Sequence, residues 1–341
     1  MMILGIETSC DETAAAVVLD GKKILSDVIY SQAVHRQYGG VVPELASRDH
    51  LKKIVPVVRE SLTQAGISPS QIDAVAATSR PGLAGALLVG FCFARGLAQS
   101  LDVPFVSVNH VEAHAQAAFL DNPELKAPAV ALVVSGGHTS LFYIDDDFRF
   151  SLMGQTLDDA AGEAFDKVAK LLGLGYPGGP VIEQRAKLSY SDKIIFPKAM
   201  LGPQSLDFSF SGLKTAVLNY ALDPKNGGRE NLSQEHVNDI CRGFQTAVCA
   251  VLAEKVKRAC DLTGCLNVIV AGGVAANGFL RQSLMDLETK EGLKISIPGI
   301  RLCTDNAAMV AACGSRMLDK GQKISDNTVQ ARVTWPKYQN T

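Results

Sequence analysis

Two stretches of this chain repeat one design. Met2 to Asp20 and Ala129 to Asp145 are each an apolar, strand-like run, a short turn and a second strand-like run. The first turn is Thr8-Ser-Cys-Asp-Glu-Thr13 and the second is Ser135-Gly-Gly-His-Thr139. Around them strand and helix patterns alternate, the signature of an α/β protein. A hairpin opening each half points to a duplicated, two-lobed fold with a cleft between the lobes. At 341 residues the chain is long for one core, which agrees with two lobes.

The pattern predicts strands at 3–7, 14–19, 72–78, 104–108, 130–134, 140–144, 268–271 and 293–297. It predicts helices over 48–65, 82–101, from Asn109 onward, 158–172, 236–262 and 305–318, the last capped by Thr304. Pro56 should kink or break the first of these, whose apolar stripe is Leu51, Ile54, Val55, Val58 and Leu62. The expected partition is residues 1–108 as an N-terminal lobe completed by the helix near 305–320. Residues 109–304 form a C-terminal lobe with metal and nucleotide sites, and 325–341 form an extended polar tail.

Hydrophobic content of 47% with 20% charged residues describes a soluble, well-packed chain. The net charge of −2 gives no bulk footprint for nucleic acid, so RNA would need a local patch. Arg36, Arg48, Lys52 and Lys53 form the one cluster of that kind, although most such clusters are solvated faces. The 8 cysteines are scattered without a C-x-x-C pair, which fits reduced thiols. Glu7 follows the start too closely for a signal peptide, and the apolar run 83–94 is too short to span a bilayer. The expected location is the cytoplasm, without membrane attachment.

Chemistry concentrates at Asn109-His-Val-Glu-Ala-His114. Histidines four apart on a helix share a face, with Cβ atoms ~5–6 Å apart. Such a pair either caps structure or holds a divalent metal. The chain has only 6 histidines, and Asp305 could add a hard oxygen ligand, leaving positions open for substrate oxygens; Asp305 reads equally as a helix cap. The zinc-protease alternative fails on geometry. In H-E-x-x-H the glutamate follows the first histidine directly, whereas Glu112 lies two residues from each histidine and points away from both.

The turns Ser135-Gly-Gly-His-Thr and Gly272-Gly-Val-Ala-Ala-Asn-Gly allow close backbone approach to an anion, and the second also aims a helix N-terminus at it. Either alone can be a mere tight connection; together they suggest a nucleotide site. Gly179, in Tyr176-Pro-Gly-Gly-Pro, could lie flat against a base or ribose. Asp166 could bond ribose hydroxyls. Asp158 and Asp159 read as dipole partners of their own helix, and Ser209 to Lys214 as a cap or a substrate contact. Glu7, Asp11 and Glu12 crowd one turn, where like charges repel unless a metal, another cation or a proton intervenes.

Six motifs, in order along nearly the whole chain, resemble the bacterial TsaD family of tRNA N6-adenosine threonylcarbamoyltransferases. They are Gly5-Ile-Glu-Thr-Ser-Cys-Asp-Glu-Thr13, Asn109 to His114, Val134-Ser-Gly-Gly-His-Thr139, Gly175-Tyr-Pro-Gly-Gly179, Phe208-Ser-Phe-Ser-Gly-Leu-Lys214 and Ala271-Gly-Gly-Val-Ala-Ala-Asn277. The resemblance implies an actin-like, sugar-kinase-like ATPase fold with duplicated RNase H-like lobes. It implies threonylcarbamoyl-AMP as donor, and as acceptor the adenosine 3′-adjacent to the anticodon in tRNAs reading ANN codons. It implies that His110, His114 and Asp305 hold one Fe(II), with Zn(II) as the alternative. Val133, Val134, Ser135, Gly136 and Gly137, with Asp166, Gly179, Glu183 and Asn277, would hold the adenylate. The implied partners are a degenerate paralogue, TsaB, and a small P-loop ATPase, TsaE. Asp11 is the expected aid to proton removal or acceptor positioning. The rival readings are a kinase-type phosphotransferase of the same fold, a metalloprotease, and a non-catalytic nucleotide-dependent scaffold.

Overall fold

The computed structural model describes residues 1–202, 204–226, 228, 232–321, 328–331 and 333–339, except the side chain of Arg36. The chain divides into two units. One comprises Met1–Glu124 with Arg301–Thr334, the other Leu125–Ile300 with Trp335–Thr341.

In the first unit β1 (Met2–Glu7) and β2 (Glu12–Leu19) pair antiparallel, and β3 (Lys23–Ser31) extends the meander. Two further strands, β4 (Ala74–Arg80) and β5 (Phe105–Asn109), run parallel to β1. The sheet order is β3-β2-β1-β4-β5. Strand alternation divides its core in two. Ile3, Ala14, Ala16, Ala74, Val106 and Val108 face α3 (His110–Asp121) and α10 (Ala307–Asp319). Leu4, Ile6, Ala15, Val17, Val75 and Ala77 face α1 (Pro43–Ala65) and α2 (Ala84–Leu101). The small residues let helices approach closely. At Gly5 a Cβ would lie 2.7 Å from the Ala311 nitrogen of α10.

The second unit repeats this order. An antiparallel meander of β6 (Ala129–Val134), β7 (Thr139–Ile144) and β8 (Phe150–Gln155) is followed by β9 (Asn267–Ala271) and β10 (Lys294–Ser296), parallel to β6. The sheet order is β10-β9-β6-β7-β8. Its helices are α4 (Ala161–Leu171), α5 (Gly178–Lys187), α6 (Ser211–Leu222), α7 (Gln234–Thr263) and α8 (Gly278–Glu291). A short α9 (Ile300–Cys303) precedes α10.

Several expectations change. The boundary falls at Glu124/Leu125 and not at 108/109, because α3 packs on α10 and follows β5 directly; the histidine pair thus belongs to the first unit. The third meander strands β3 and β8 and the helix α5 escape the sequence pattern. Helix α1 starts at Pro43 and runs through Pro56, which lies on the exposed face, where an unmatched carbonyl can reach water. Leu51 and Val55 are exposed, at 66% and 47%, and Val57 and Ser61 are buried in their place. Helix α10 begins after Asn306, whose side chain accepts from the Met309 N–H, so Thr304 is not its cap. The described part of the tail is docked: Trp335 packs on Phe142, and Leu152 donates to the Pro336 carbonyl. Among the described residues α2 is the one helix long and apolar enough to cross a membrane, and its Leu87, Phe91, Ala94 and Ala98 are buried.

Candidate metal centre and nucleotide cradle

Parallel strands bring their C-terminal ends to one edge of a sheet, where α/β proteins place their sites. In the first unit that edge carries Glu7 at the end of β1, Thr78 near the end of β4, and Asn109 with His110 at the end of β5. Asn109 caps α3 by accepting from the Val111 N–H at 2.9 Å. Helical spacing then sets the two imidazoles edge to face, with centroids 4.6 Å apart.

Both Nε2 atoms converge on Asp305, at 3.6 Å from His110 and 3.1 Å from His114. The ligand atoms of His110, His114 and Asp305 all lie within 4.8 Å of one another. The other side of His110 is held: Glu7 is fully buried and accepts from its Nδ1 at 3.0 Å, from the Thr78 hydroxyl at 2.5 Å and from the Ser9 N–H at 2.6 Å. His110 is thereby held with Nδ1 on Glu7 and Nε2 facing Asp305. Burial alone would lower its pKa, but Glu7 and Asp305 outweigh burial and lift it to about 9. A proton there substitutes for the positive charge that two carboxylates call for. Nitrogen and oxygen donors converging on one point, one imidazole oriented by a buried carboxylate, make a donor set suited to a divalent cation. His114 Nδ1 is buried with no hydrogen-bond partner among the described residues.

Asn306, one residue on, caps α10, which frees the Asp305 carboxylate for the histidines. Glu112 takes no part. It is half-buried near Arg80; desolvation raises its pKa to about 7, and Arg80 offsets part of that. In the acidic turn the carboxylates raise one another's affinity for protons. Burial, with Asp305 and Asp11 nearby, raises Glu12 to about 10, and its carboxyl shares a hydrogen bond with Asp11. His50, on α1, clamps this turn by donating from Nε2 to the Cys10 carbonyl and accepting the Thr13 hydroxyl at Nδ1.

The second unit joins the remaining candidates by close backbone contacts. Gly162 of α4 donates to the Ser135 carbonyl at 3.2 Å, and Gly178 of α5 donates to Asp166 at 2.7 Å. Gly272, at φ +95°, lies against the Val134 backbone. Glu183 accepts from the Gly278 N–H at the start of α8, at 3.1 Å. Val133, Val134, Ser135, Asp166, Gly179, Glu183 and Asn277 are thereby drawn to one edge of the β6–β9 sheet. A Cβ at Gly136, Gly137, Gly179 or Gly273 would meet no atom within 4 Å. These glycines form an open backbone floor suited to a flat or anionic ligand. Asp166 and Asn277 have prior work: Asp166 holds Gly178, and Asn277 caps α8 through the Leu280 N–H and bonds Gln245. Asp158 caps α6 and not its own helix, accepting from Ser209, Phe210 and Ser211, which together outweigh burial and lower its pKa.

Thr78 and His50 are supporting residues that motif reading does not single out, and the crowded acidic turn gives no sign that Glu7 orients His110. Their work depends on contacts between strands far apart in sequence.

The comparisons with known proteins now decide the family. Residues 23–312 match the family model TsaD: tRNA N6-adenosine threonylcarbamoyltransferase. The chain belongs to the TsaD family. A Clostridium perfringens protein named tRNA N6-adenosine threonylcarbamoyltransferase is 48% identical, over 97% of this chain and 96% of its own length. A Salinibacter ruber protein of the same name is 50% identical, over 94% of this chain and 96% of its own. Among solved structures, T. kodakarensis HypF matches with a TM-score of 0.61 at 15% identity, over 95% of this chain and 48% of that one. Component A of the Acidaminococcus fermentans (R)-2-hydroxyglutaryl-CoA dehydratase matches with a TM-score of 0.53 at 16% identity, over 92% and 96%. Such low identities speak to fold alone, and the fold is that of the actin-like ATPases.

Proposed function

We propose that this chain transfers the threonylcarbamoyl group from threonylcarbamoyl-AMP to N6 of the adenosine 3′-adjacent to the anticodon in tRNAs reading ANN codons. Family membership makes the chain a transferase that modifies tRNA; the donor, the position and the machinery are our reading. One observation carries it: the spaced histidines of α3 and the distant Asp305 close into a set of ligand atoms within 4.8 Å.

His110, His114 and Asp305 would hold one Fe(II), or Zn(II), which when bound supplies Lewis acidity and a template for phosphate and carbonyl oxygens. The chain's own residues do the rest. Glu7 keeps His110 Nε2 aimed at the site. The open glycines Gly136, Gly137 and Gly179 admit the adenylate, with Val133, Val134, Ser135, Asp166, Glu183 and Asn277 around them. The adenine amine attacks the carbonyl carbon of the mixed anhydride, the bond to the phosphate oxygen breaks, AMP departs and the amine loses a proton. Asp11 receives or directs that proton, with the protonated Glu12 as its neighbour. Glu112 is too far round α3 to serve a protease, and the kinase reading leaves the histidine pair without a task.

The reading includes a cytoplasmic setting and two partners, a TsaB-like paralogue and a TsaE-like ATPase. Leu51 and Val55 of α1 and Leu88 of α2, the last 52% exposed, support a protein neighbour there. The test combines the chain, both partners, threonine, bicarbonate, ATP and unmodified tRNA, followed by mass spectrometry of the nucleosides. Modified adenosine should appear with wild type and vanish with His110→Ala. Absence of product from wild type, or full transfer by His110→Ala, would falsify the proposal. Full transfer by Asp11→Asn would remove Asp11 alone.

A further inference from the structure

Among the described residues, the irregular run from Leu188 to Phe210 on the second unit has no helix or ladder strand of its own. So long a loop inside a packed unit is uncommon and is usually functional. It does not hang free. Arg242 of α7 donates to the Ser189 carbonyl and to Asp192, and the Ser189 hydroxyl donates to Asp239. Gly243 leaves room for the Ile194 backbone, and Phe196 packs on the ring of Tyr220. Lys255, wholly buried, donates to the Met200 and Ser205 carbonyls, and Arg258 reaches the Gly202 carbonyl. Burying an ammonium to hold two loop carbonyls is costly, so the strap is a built feature.

What the strap presents outward is unusual. Tyr190 is 95% exposed and Ile195 84%. Lys193 and Lys198 are exposed in the same run, and Lys187, paired with Glu183, is exposed at the end of α5. An aromatic ring in water among lysines, on a backbone pinned from beneath, combines a stacking platform with phosphate contacts. RNA is read in this way where bases are unpaired and splayed. The strap also leaves the C-terminal end of α5, whose N-terminal end carries Gly179. Ten helical residues at about 1.5 Å each put the two roughly 15 Å apart, within the span of a few nucleotides.

We propose that this strap is an RNA contact surface, on which Tyr190 stacks against an unpaired base of the tRNA and Lys193 and Lys198 meet flanking phosphates. It rests on the reading of this chain as a tRNA-modifying transferase. The basic cluster at the start of α1 is the weaker candidate, since Arg48 is paired with Glu44 and Lys53 lies over Tyr30.

The test measures binding of unmodified tRNA to the full chain, alone and in the complete transferring mixture, across a salt series. Tyr190→Ala should weaken binding about tenfold, with Tyr190→Trp restoring it. Lys193→Ala with Lys198→Ala should lower the slope of log affinity against log salt by about one to two. Lys290→Ala, an exposed lysine of α8 outside the strap, should change neither. AMP affinity should be unaltered throughout, which reports an intact fold. Unchanged tRNA affinity and salt slope in the strap variants overturn the proposal, as does loss of a protein partner with RNA binding intact. If wild type binds tRNA through the strap yet makes no modified nucleoside, the surface stands and the proposed reaction falls.

Discussion

The two units share a sheet order and put a turn after their first strand, yet they use it oppositely. After β1 the turn is crowded with Glu7, Asp11 and Glu12, and neighbouring strand ends add His110 and Thr78. After β6 the turn is bare backbone, Ser135 to Gly137, and neighbouring elements add more glycine. One edge gathers side chains that hold charge; the other withdraws side chains so that a ligand can touch main chain. The shared topology supplies the place, because the C-terminal ends of parallel strands meet there. Local sequence decides whether that place gathers acidic and imidazole side chains or bare main chain.

The sharpest way to break this contrast is to disable one edge alone. His114→Ala should reduce transfer at least ~100-fold, beyond the loss typical of a ligand's outer partners, and should lower bound metal per chain. AMP binding to the other unit should stay near wild type by calorimetry. Loss of both together would mean that the edges are not separate devices.

Two glycines of the second unit sharpen the comparison further. Gly272→Ala forces a left-handed residue against the Val134 backbone and should cost about 3 kcal/mol of stability by denaturant titration. Gly136→Ala has open space and should change stability by less than ~0.5 kcal/mol, while weakening AMP binding. Equal destabilisation by the two would contradict an open floor at Gly136.

Glu112 offers a pH test in the first unit. Its pKa is raised to about 7 in the folded chain, so the folded state holds its proton more firmly than the unfolded state. The stabilisation is complete below the unfolded value near 4.5 and is lost as pH rises through 7. It amounts to about 3 kcal/mol. In chelator-treated protein, Glu112→Gln should remove that part of the decline between pH 4.5 and 7. An identical slope in both proteins would place Glu112 in water.

The smallest expected effect is at Asp158. Asp158→Ala removes the acceptor for Ser209, Phe210 and Ser211 at the start of α6 and should cost about 1 kcal/mol in thermal unfolding. A markedly larger loss would mean that Asp158 supports more than a cap.

Much of this protein is written in short-range pattern. The α/β class, the paired hairpins, the helix starting at Asn109 and the facing histidines follow from strand alternation and helical spacing, which act within a few residues. The candidate ligands on α3 and the glycine turns are legible for the same reason. Other features depend on contacts that linear order cannot show. The unit boundary after Glu124 comes from α3 packing on α10. Asp305 reads as a cap until Asn306 is seen to take that role, and Asp158 caps a helix more than fifty residues on. Glu7 gains its meaning only because β1, β4 and β5 lie parallel and adjacent, so that its carboxylate meets His110. Sequence by itself determined which groups were available and which local shapes they could take. Only the tertiary structure decided which groups share a proton, a hydrogen bond or a ligand position, because those energies fall off within a few ångströms and depend on distances that folding alone sets.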